Sequence, residues 1–221
     1  MIQVHPLIPI KKSSARVIGA AQALETLHHK INACTKCVDC GYLGQANPIL
    51  SGTLQSRIML IGQAPGIKNE NEKFPFNGGR AGKRLFQWLN EAGWEEGEFR
   101  LKHYIGSVTR CFPGKNRSGS ADRVPSDAEQ ALCLDWLRQE LELLNIEVII
   151  LMGRLSINLF FDPAVRLSEI IGRSYHIHGY VVVPIPHPSG ASSWYLESEN
   201  KVLLKQALAS LAKLKRTHNY L

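Results

Sequence analysis

The chain has 221 residues, 44% of them hydrophobic, which is enough to bury one sizeable core and predicts a single domain over residues 1–221. Lysine and arginine number 26 against 19 aspartates and glutamates, a net charge of +7 that suits a polyanionic partner such as nucleic acid. No apolar run approaches the length of about 20 residues that crosses a bilayer, and residues 1–12 lack the apolar centre of a secretion signal. These features exclude a membrane protein and predict a cytoplasmic monomer.

The first predicted element is a helix over residues 15–33, where apolar positions recur at helical spacing and Ser13 or Ser14 can cap the start. This helix leads directly into the first cysteines, so residues 13–45 form a helix and cysteine region. The chain holds five cysteines. Because the cytosol keeps thiols reduced, we expect core residues, metal ligands or a catalyst rather than disulfides.

Short apolar runs alternate with amphipathic segments through the rest of the chain. The runs with the character of buried parallel strands are Arg57–Gly62, His103–Thr109, Glu147–Met152 and Tyr180–Ile185. The segments with helical character are Arg80–Ala92, a helix from Ser126 with Glu129 completing a capping box, Leu155–Phe161 and Asn200–Lys215. The alternation predicts an α/β fold with a central four-stranded parallel sheet and helices on both faces.

Three unusual segments follow these strands and should meet at one edge of the sheet. They are Gly62–Gly66 after the first strand, Ser107–Cys111 at the end of the second, and His187–Gly190 after the last. Ligands of open α/β sheets bind at the carboxyl ends of the strands, so this edge is the predicted ligand site. Taken alone, the first segment is an ordinary turn.

The first segment continues into Phe74–Gly82 and then into an amphipathic helix. Here the sequence resembles the uracil-DNA glycosylase superfamily, most of all the iron–sulfur type called family four, with some features of family five. The resemblance extends from Cys34 to Ser192. It rests on the order of the motifs Gly62–Gly66, Pro75–Gly78, Arg80–Gly82, Arg110-Cys111, Cys133 and His187-Pro188-Ser189.

The resemblance implies a DNA-repair glycosylase, which hydrolyses the N-glycosidic bond of uracil or another deaminated base and leaves an abasic site. The nucleotide would be flipped out of single- or double-stranded DNA, because a stacked base is out of reach. Phe76 would stack on the base, with Gly62 and Ser107 completing the base pocket. The alternative for Phe76 is a place in the core, although Phe74 is the expected core residue of the two.

The resemblance assigns catalysis to His187 and Gln63. His187 would donate a hydrogen bond to the base oxygen as negative charge develops on the leaving base. Gln63 stands where family four has a glutamate that activates or places water; glutamine cannot accept the proton but can orient the water. Ser107 stands where family four has an asparagine that reads the uracil edge, which favours a wider set of deaminated bases.

Loops beside the predicted pocket supply the candidate DNA contacts. Ser189 and Gly190 would hold a phosphate, while Lys115, Arg117, Arg123 and nearby Arg110 form a basic group after the second strand. The alternative for these charges is simple solvation. Two other functions stay open: a non-catalytic or weakly active iron–sulfur protein that binds damaged DNA, and a metal-cluster nucleotide-binding protein without DNA activity.

Four cysteines correspond to the cluster ligands of the family, namely Cys34, Cys37, Cys111 and Cys133. Four thiolates suit either tetrahedral zinc or a four-iron cluster, and the motif alone decides neither. The resemblance implies a [4Fe–4S] cluster with a structural role. Cys40 completes a Cys-x-x-Cys-x-x-Cys motif and could replace one ligand, but the resemblance leaves it as a spare.

Overall fold

The N-terminal helix is present as α1, Ala20–Asn32. The predicted caps Ser13 and Ser14 lie outside the described residues, as does the first part of the helix predicted over 15–33. No helix in the described ranges has both the length and the apolar character that crossing a membrane requires. The computed structural model describes residues 2–6, 8–11, 19–67, 74–190 and 192–217.

A five-stranded sheet forms the centre of the described structure, in the order β2-β1-β3-β5-β4. Its strands are β1 Ile58–Gly62, β2 Tyr104–Ser107, β3 Val148–Met152, β4 Tyr175–Ile177 and β5 Tyr180–Ile185. Neighbours among β2, β1, β3 and β5 pair in parallel, while β4 pairs antiparallel with β5. The α/β class and the four parallel strands are therefore confirmed, but the prediction of a purely parallel four-stranded sheet is wrong.

The edge strand β4 carries little of the signal that identifies its neighbours. It has three residues, and only Ile177 is buried. A turn through His178 and Gly179, with φ of 52° and 84°, joins it to β5. In contrast, every residue of β1, β2 and β3 is buried, as expected where both faces of a parallel sheet are covered.

Helices follow the strands in the order that the sequence predicts, with two differences. The Glu129 N–H donates to Ser126 Oγ (3.3 Å) and the Ser126 N–H to Glu129 Oε2 (2.8 Å), which confirms the capping box. One predicted helix, Leu155–Phe161, is a single turn at Arg154–Ile157, and three short helices, Lys36–Asp39, Glu96–Lys102 and Leu167–Ile170, have no counterpart in the prediction. The remaining helices are α2 Lys36–Asp39, α3 Gly79–Glu91, α4 Glu96–Lys102, α5 Asp127–Leu143, α6 Arg154–Ile157, α7 Leu167–Ile170 and α8 Ser198–Thr217.

The register of the parallel strands brings their carboxyl ends to one edge. Gly62 of β1 lies beside Ser107 of β2, and Met152 of β3 lies beside Ile185 of β5. The segments that follow β1, β2 and β5 therefore begin at the same edge, as predicted.

Candidate active site

The ring of Phe76 lies on the end of β1. A Cβ built on Gly62 would be 2.9 Å from Phe76 Cζ and 3.3 Å from Met152 Cε, so a side chain at this position would displace the ring. Phe76 and Ser107 therefore line one pocket, and Gly62 lies beside both of them at the end of β1. This pocket has a volume of about 260 Å³, counting space open to solvent, and is lined by Ile49, Ala64, Pro65, Pro75, Phe76, Ile105, Gly106 and Ser107.

The burial of Phe74 and Phe76 differs from the prediction. Phe74 is 39% exposed, so its expected place in the core is wrong. Phe76 is half-buried against the edge of the core, and its φ of 54° lies in the left-handed region. A Cβ on Gly82 would overlap the Phe76 carbonyl oxygen. The first turn of α3 therefore needs glycine where it meets this backbone.

Ser107 is buried at the end of β2, and its hydroxyl proton is already engaged. Its Oγ donates to the Thr109 carbonyl (2.7 Å), and its own carbonyl accepts from Arg110 Nη1 (2.6 Å). Because a hydroxyl carries one proton, Ser107 offers the pocket an acceptor rather than a second donor. It therefore suits an N–H group on the edge of a bound base.

His187 follows β5 in a hydrogen-bonded setting that fixes its tautomer. The Ser189 N–H donates to His187 Nδ1 at 3.2 Å, so a neutral ring carries its proton on Nε2. Burial lowers the pKa of His187, which favours this neutral form. Gly153, with φ of 87°, lets the ring approach the end of β3, since a Cβ there would be 2.9 Å from His187 Cβ. The imidazole is thus set up as a neutral hydrogen-bond donor.

Arg84 of α3, which sequence reasoning did not single out, holds the loop after His187. Its Nη1 donates to the Pro188 carbonyl at 2.8 Å, and its guanidinium lies 4.9 Å over the ring of Tyr195. Within that loop, Ser189 is half-buried and Gly190 is exposed. The one available signal was the position of Arg84 on the helix that follows the Phe76 motif.

Gln63 comes directly after Gly62 at the same edge and is half-buried. Its backbone carbonyl accepts from the Thr109 N–H at 3.2 Å, which ties the segment after β1 to the segment after β2. Because β3 lies between β1 and β5, Gln63 and His187 flank the end of β3. The predicted catalytic residues therefore share one rim, with the Phe76 ring beside them.

Arg110 lies in the interior rather than at a DNA surface. It is 2% exposed and forms an ion pair with Glu140, which is fully buried. The Tyr104 hydroxyl donates to the other carboxylate oxygen (2.8 Å), and His28 Nε2 lies 2.9 Å from that hydroxyl. A guanidinium enclosed in this way cannot reach a phosphate, so the prediction that Arg110 contacts DNA is wrong. Its contact with the Ser107 carbonyl makes it a support for the pocket.

Lys115 and Arg117 lie on an exposed hairpin after β2. The backbones of Lys115 and Asp122 form an antiparallel bridge, and their side chains pair at 2.6 Å. Arg117 is exposed between them in sequence. Exposed pairs of this kind add little to stability, so these cations stay available to other anions.

The four predicted ligands Cys34, Cys37, Cys111 and Cys133 line one largely apolar pocket of about 470 Å³, again counting open space. Cys40 is exposed and lies outside this lining. Within the described ranges, no three His, Cys, Asp or Glu side chains are close enough to share a single metal ion. The four thiols therefore surround a common pocket, but they are too far apart to bind one metal ion together.

Cys133 is strongly desolvated by the protein around it. Desolvation raises the pKa of Cys133 to about 12, against the opposing charge of Arg110. The Arg110 N–H donates to Cys133 Sγ at 3.2 Å. The thiol is protonated at neutral pH, so a metal that binds here must displace its proton.

The protein is thus an α/β protein that brings a half-buried aromatic ring, Phe76, and a neutral histidine, His187, to the carboxyl edge of its parallel strands. A family model described as the uracil DNA glycosylase superfamily matches residues 50–212, and the chain belongs to this superfamily. A type-4 uracil-DNA glycosylase of Thermotoga maritima is 29% identical over 197 residues, covering 88% of this chain and 94% of that protein. The match to a type-4 enzyme of Pyrobaculum aerophilum is 30% over 149 residues, covering 67% and 70%. A type-5 enzyme of the same organism matches at 29% over 115 residues, covering 48% of each.

Proposed function

We propose that this protein is a DNA-repair glycosylase that hydrolyses the N-glycosidic bond of uracil or another deaminated base flipped out of DNA, leaving an abasic site. The observation that carries the proposal is the hydrogen bond from the Ser189 N–H to His187 Nδ1. It leaves a neutral Nε2–H donor at the rim that also holds the Phe76 ring. Membership of the superfamily and the type-4 names of its relatives support the same reaction.

The base pocket supplies stacking and recognition. Phe76 stacks on the flipped base, an interaction typically worth about 1–3 kcal/mol, and so offsets part of the cost of unstacking. Gly62 leaves room for the ring, and the Ser107 hydroxyl accepts from an N–H of the base edge. Uracil and hypoxanthine both present such an N–H, so this pocket suits more than one deaminated base.

Catalysis follows from the charge that develops as the bond breaks. The electron pair of the bond stays with the departing base, and the His187 Nε2–H stabilises it at the base oxygen. Gln63 orients water toward the positively charged sugar carbon, but glutamine cannot accept the proton of that water. The proton is therefore released to solvent or to the leaving base after attack, and the reaction has dissociative character.

DNA is held through its phosphates. Ser189 and Gly190 contact the phosphate beside the flipped nucleotide, and Lys115 and Arg117 contact phosphates farther along the strand. These contacts carry no sequence information and weaken with salt. The protein acts as a cytoplasmic monomer on single- or double-stranded DNA.

The cofactor is a [4Fe–4S] cluster bound by Cys34, Cys37, Cys111 and Cys133. The lining of one largely apolar pocket by these four thiols supports this set over one that includes the exposed Cys40. Cys34, Cys37, Cys111 and Cys133 would hold such a cluster through their thiolates, which are the usual ligands of iron–sulfur clusters. When bound, the cluster cross-links the α2 region, the segment after β2 and α5, and its role is structural.

A second candidate is a protein that binds damaged DNA with weak or no catalysis. Gln63 in place of a carboxylate is the observation that favours it. Excision on a panel of duplexes that carry uracil, hypoxanthine or xanthine, followed by alkaline cleavage, separates the two. We expect strand cleavage at one or more deaminated bases and none at a thymine control. Binding without cleavage anywhere in the panel would favour the second candidate.

A further inference from the structure

The turn that carries Phe76 is fastened from a distance by Arg100 of α4. Arg100 Nη1 donates to the Pro75 carbonyl at 2.7 Å, and Nη2 donates to the Phe76 carbonyl at 3.0 Å. One guanidinium thus spans two successive carbonyls of the turn. Arg100 lies outside every motif that carries the family resemblance.

The backbone at Phe76 needs such support. Its φ of 54° is a conformation that aromatic residues rarely adopt, and it persists only where the surroundings impose it. The same backbone angle decides where the ring lies, because the side chain leaves the chain at that Cα. The ring contacts Gly62 so closely that a Cβ there would be 2.9 Å away. A relaxed turn would therefore move the stacking ring off the end of β1.

Arg100 is itself held on several sides. Its guanidinium pairs with Glu96 at 2.8 Å and lies 4.2 Å from the ring centre of Phe86 and 5.0 Å from that of Phe74. Its side chain is 11% exposed. A planar fork enclosed in this way loses little freedom on binding two acceptors, whereas a lysine is a point charge on a flexible stem. The exposed Phe74, unexplained by the core, has a role as one wall of this enclosure.

We propose that Arg100 is a positioning residue that holds the Phe76 backbone in its left-handed conformation, so that the ring is in place before the base arrives. The proposal rests on the proposed function, because it concerns the residue that stacks on the flipped base. Arg100 acts through Phe76 and touches no DNA. Its effect on excision must therefore disappear when the aromatic ring is absent.

A double-mutant cycle of Arg100→Met and Phe76→Ala tests this dependence. We expect Arg100→Met alone to slow single-turnover excision by roughly tenfold to a hundredfold, the scale of a misplaced reacting group. In the Phe76→Ala background the same change should cost less than about twofold, which is the non-additivity of residues that act as one unit. Affinity for abasic-site DNA should stay within about twofold, because phosphate contacts supply it. Arg138→Met, which removes the exposed pairs of Arg138 on α5, is the matched control.

Additive losses in the cycle, or an equal loss in the Arg138→Met control, would overturn the proposal. If Arg100→Met does not fold, Arg100→Lys takes its place, since lysine keeps the charge but cannot span both carbonyls in the same geometry. If the parent protein excises no base, the cycle is read as affinity for a duplex that contains a non-hydrolysable 2′-fluoro deoxyuridine. Coupling between the two residues in that affinity would support the role of Arg100 although the proposed function had failed, and additivity would overturn it.

Discussion

At the scale of single residues, the difference between an amide and a carboxylate at position 63 limits what the rim can do. Gln63 follows Gly62 in the chain, and in the proposed mechanism it orients the water that attacks the sugar. An amide can orient that water through hydrogen bonds, but it cannot take its proton near neutral pH. In the proposed mechanism, removal of a proton from the attacking water is therefore the part of the reaction that Gln63 does not assist.

Replacing Gln63 with glutamate should increase the rate of uracil excision. A carboxylate can accept the proton of the attacking water, and general bases typically contribute about 10²–10⁴-fold, so a gain of roughly tenfold or more is expected. Single-turnover rates on a uracil duplex measure the change. Gln87→Glu, an exposed position on α3, gives the same charge change away from the rim and should have no effect. An unchanged rate with intact DNA binding would show that water activation is not limiting.

Arg110 and Arg100 show which residue roles the sequence predicts and which it does not. Arg110 follows a predicted strand beside other cations, so it resembles a phosphate contact; its partner Glu140 is thirty residues away on α5. A signal did exist, because Glu140 falls among the apolar positions Leu137 and Leu141 of that helix. The sequence signal for Arg100 was weaker. Glu96 and Arg100 stand at i and i+4, a spacing that predicts an ion pair on a short helix. The role of each arginine depends on a contact with a residue distant in sequence: Glu140 for Arg110, and the carbonyls of Pro75 and Phe76 for Arg100.

At the scale of elements, a buried ion pair joins the end of β2 to helix α5. Arg110 and Glu140 are enclosed together with Tyr104. Paired charges in an interior add little net stability, but removal of one partner leaves the other desolvated without compensation. The pair therefore contributes more to fixing the position of the end of β2 against α5 than to the net free energy of unfolding.

Glu140→Leu should destabilise the protein by about 3–5 kcal/mol, because it leaves the Arg110 guanidinium buried without its counter-ion. The double variant Arg110→Met with Glu140→Leu should recover most of that loss. Urea unfolding at constant m-value measures both. Glu169→Leu, which breaks an exposed pair with Arg166, should leave the free energy of unfolding almost unchanged. Failure of the double variant to recover stability would contradict the account of this pair.

The elements that the sequence predicts well are those whose own residues carry the signal. The parallel strands are short runs rich in apolar residues. The capping box of Ser126 and Glu129 marks the beginning of α5. The strand β4 and the helix α4 are short and carry no apolar periodicity. What stabilises β4 is its pairing with β5, which its own residues do not reveal. The convergence of Gly62, Ser107 and His187 was predictable from strand order, whereas the hydrogen bond that fixes the tautomer of His187 required coordinates.

At the scale of the whole molecule, the proposed cluster is expected to be a condition of folding. Cys111→Ser or Cys133→Ser should lose iron and cooperative unfolding together, because metal binding free energy is also folding free energy. Cys40→Ser, the matched exposed control, should retain about four iron and four sulfide per chain. Metal analysis and thermal unfolding after anaerobic purification measure both. Stoichiometric zinc without iron in the parent would contradict the cluster, and equal loss in Cys40→Ser would contradict the ligand set.

The buried His103 should make stability fall on acidification. Burial, assisted by Lys102, lowers the pKa of His103 from 6.5 to about 4, and neither ring nitrogen has a hydrogen-bond partner among the described residues. Between pH 6.5 and about 4 the unfolded chain binds a proton that the folded chain does not. The free energy of unfolding therefore decreases with falling pH, by up to about 1.4 kcal/mol per unit.

His103→Phe should reduce this slope, since phenylalanine keeps the ring contacts with Trp94 and Phe99 without the titrating group. Urea unfolding at a series of pH values from 4 to 7 measures the difference between variant and parent. Equal slopes for His103→Phe and the parent would contradict the assignment.

In the proposed mechanism, the neutral imidazole of His187 stabilises the departing base. The most direct test is single-turnover excision by His187→Ala and by the parent, on whichever deaminated base the panel identifies, with affinity for abasic-site DNA measured in parallel. One preorganised donor is worth roughly 3–4 kcal/mol, so the rate should fall about a hundred- to a thousandfold while affinity changes little. Equal rates would remove His187 from the mechanism, and a parallel loss of affinity would reassign it to supporting the DNA-binding loop.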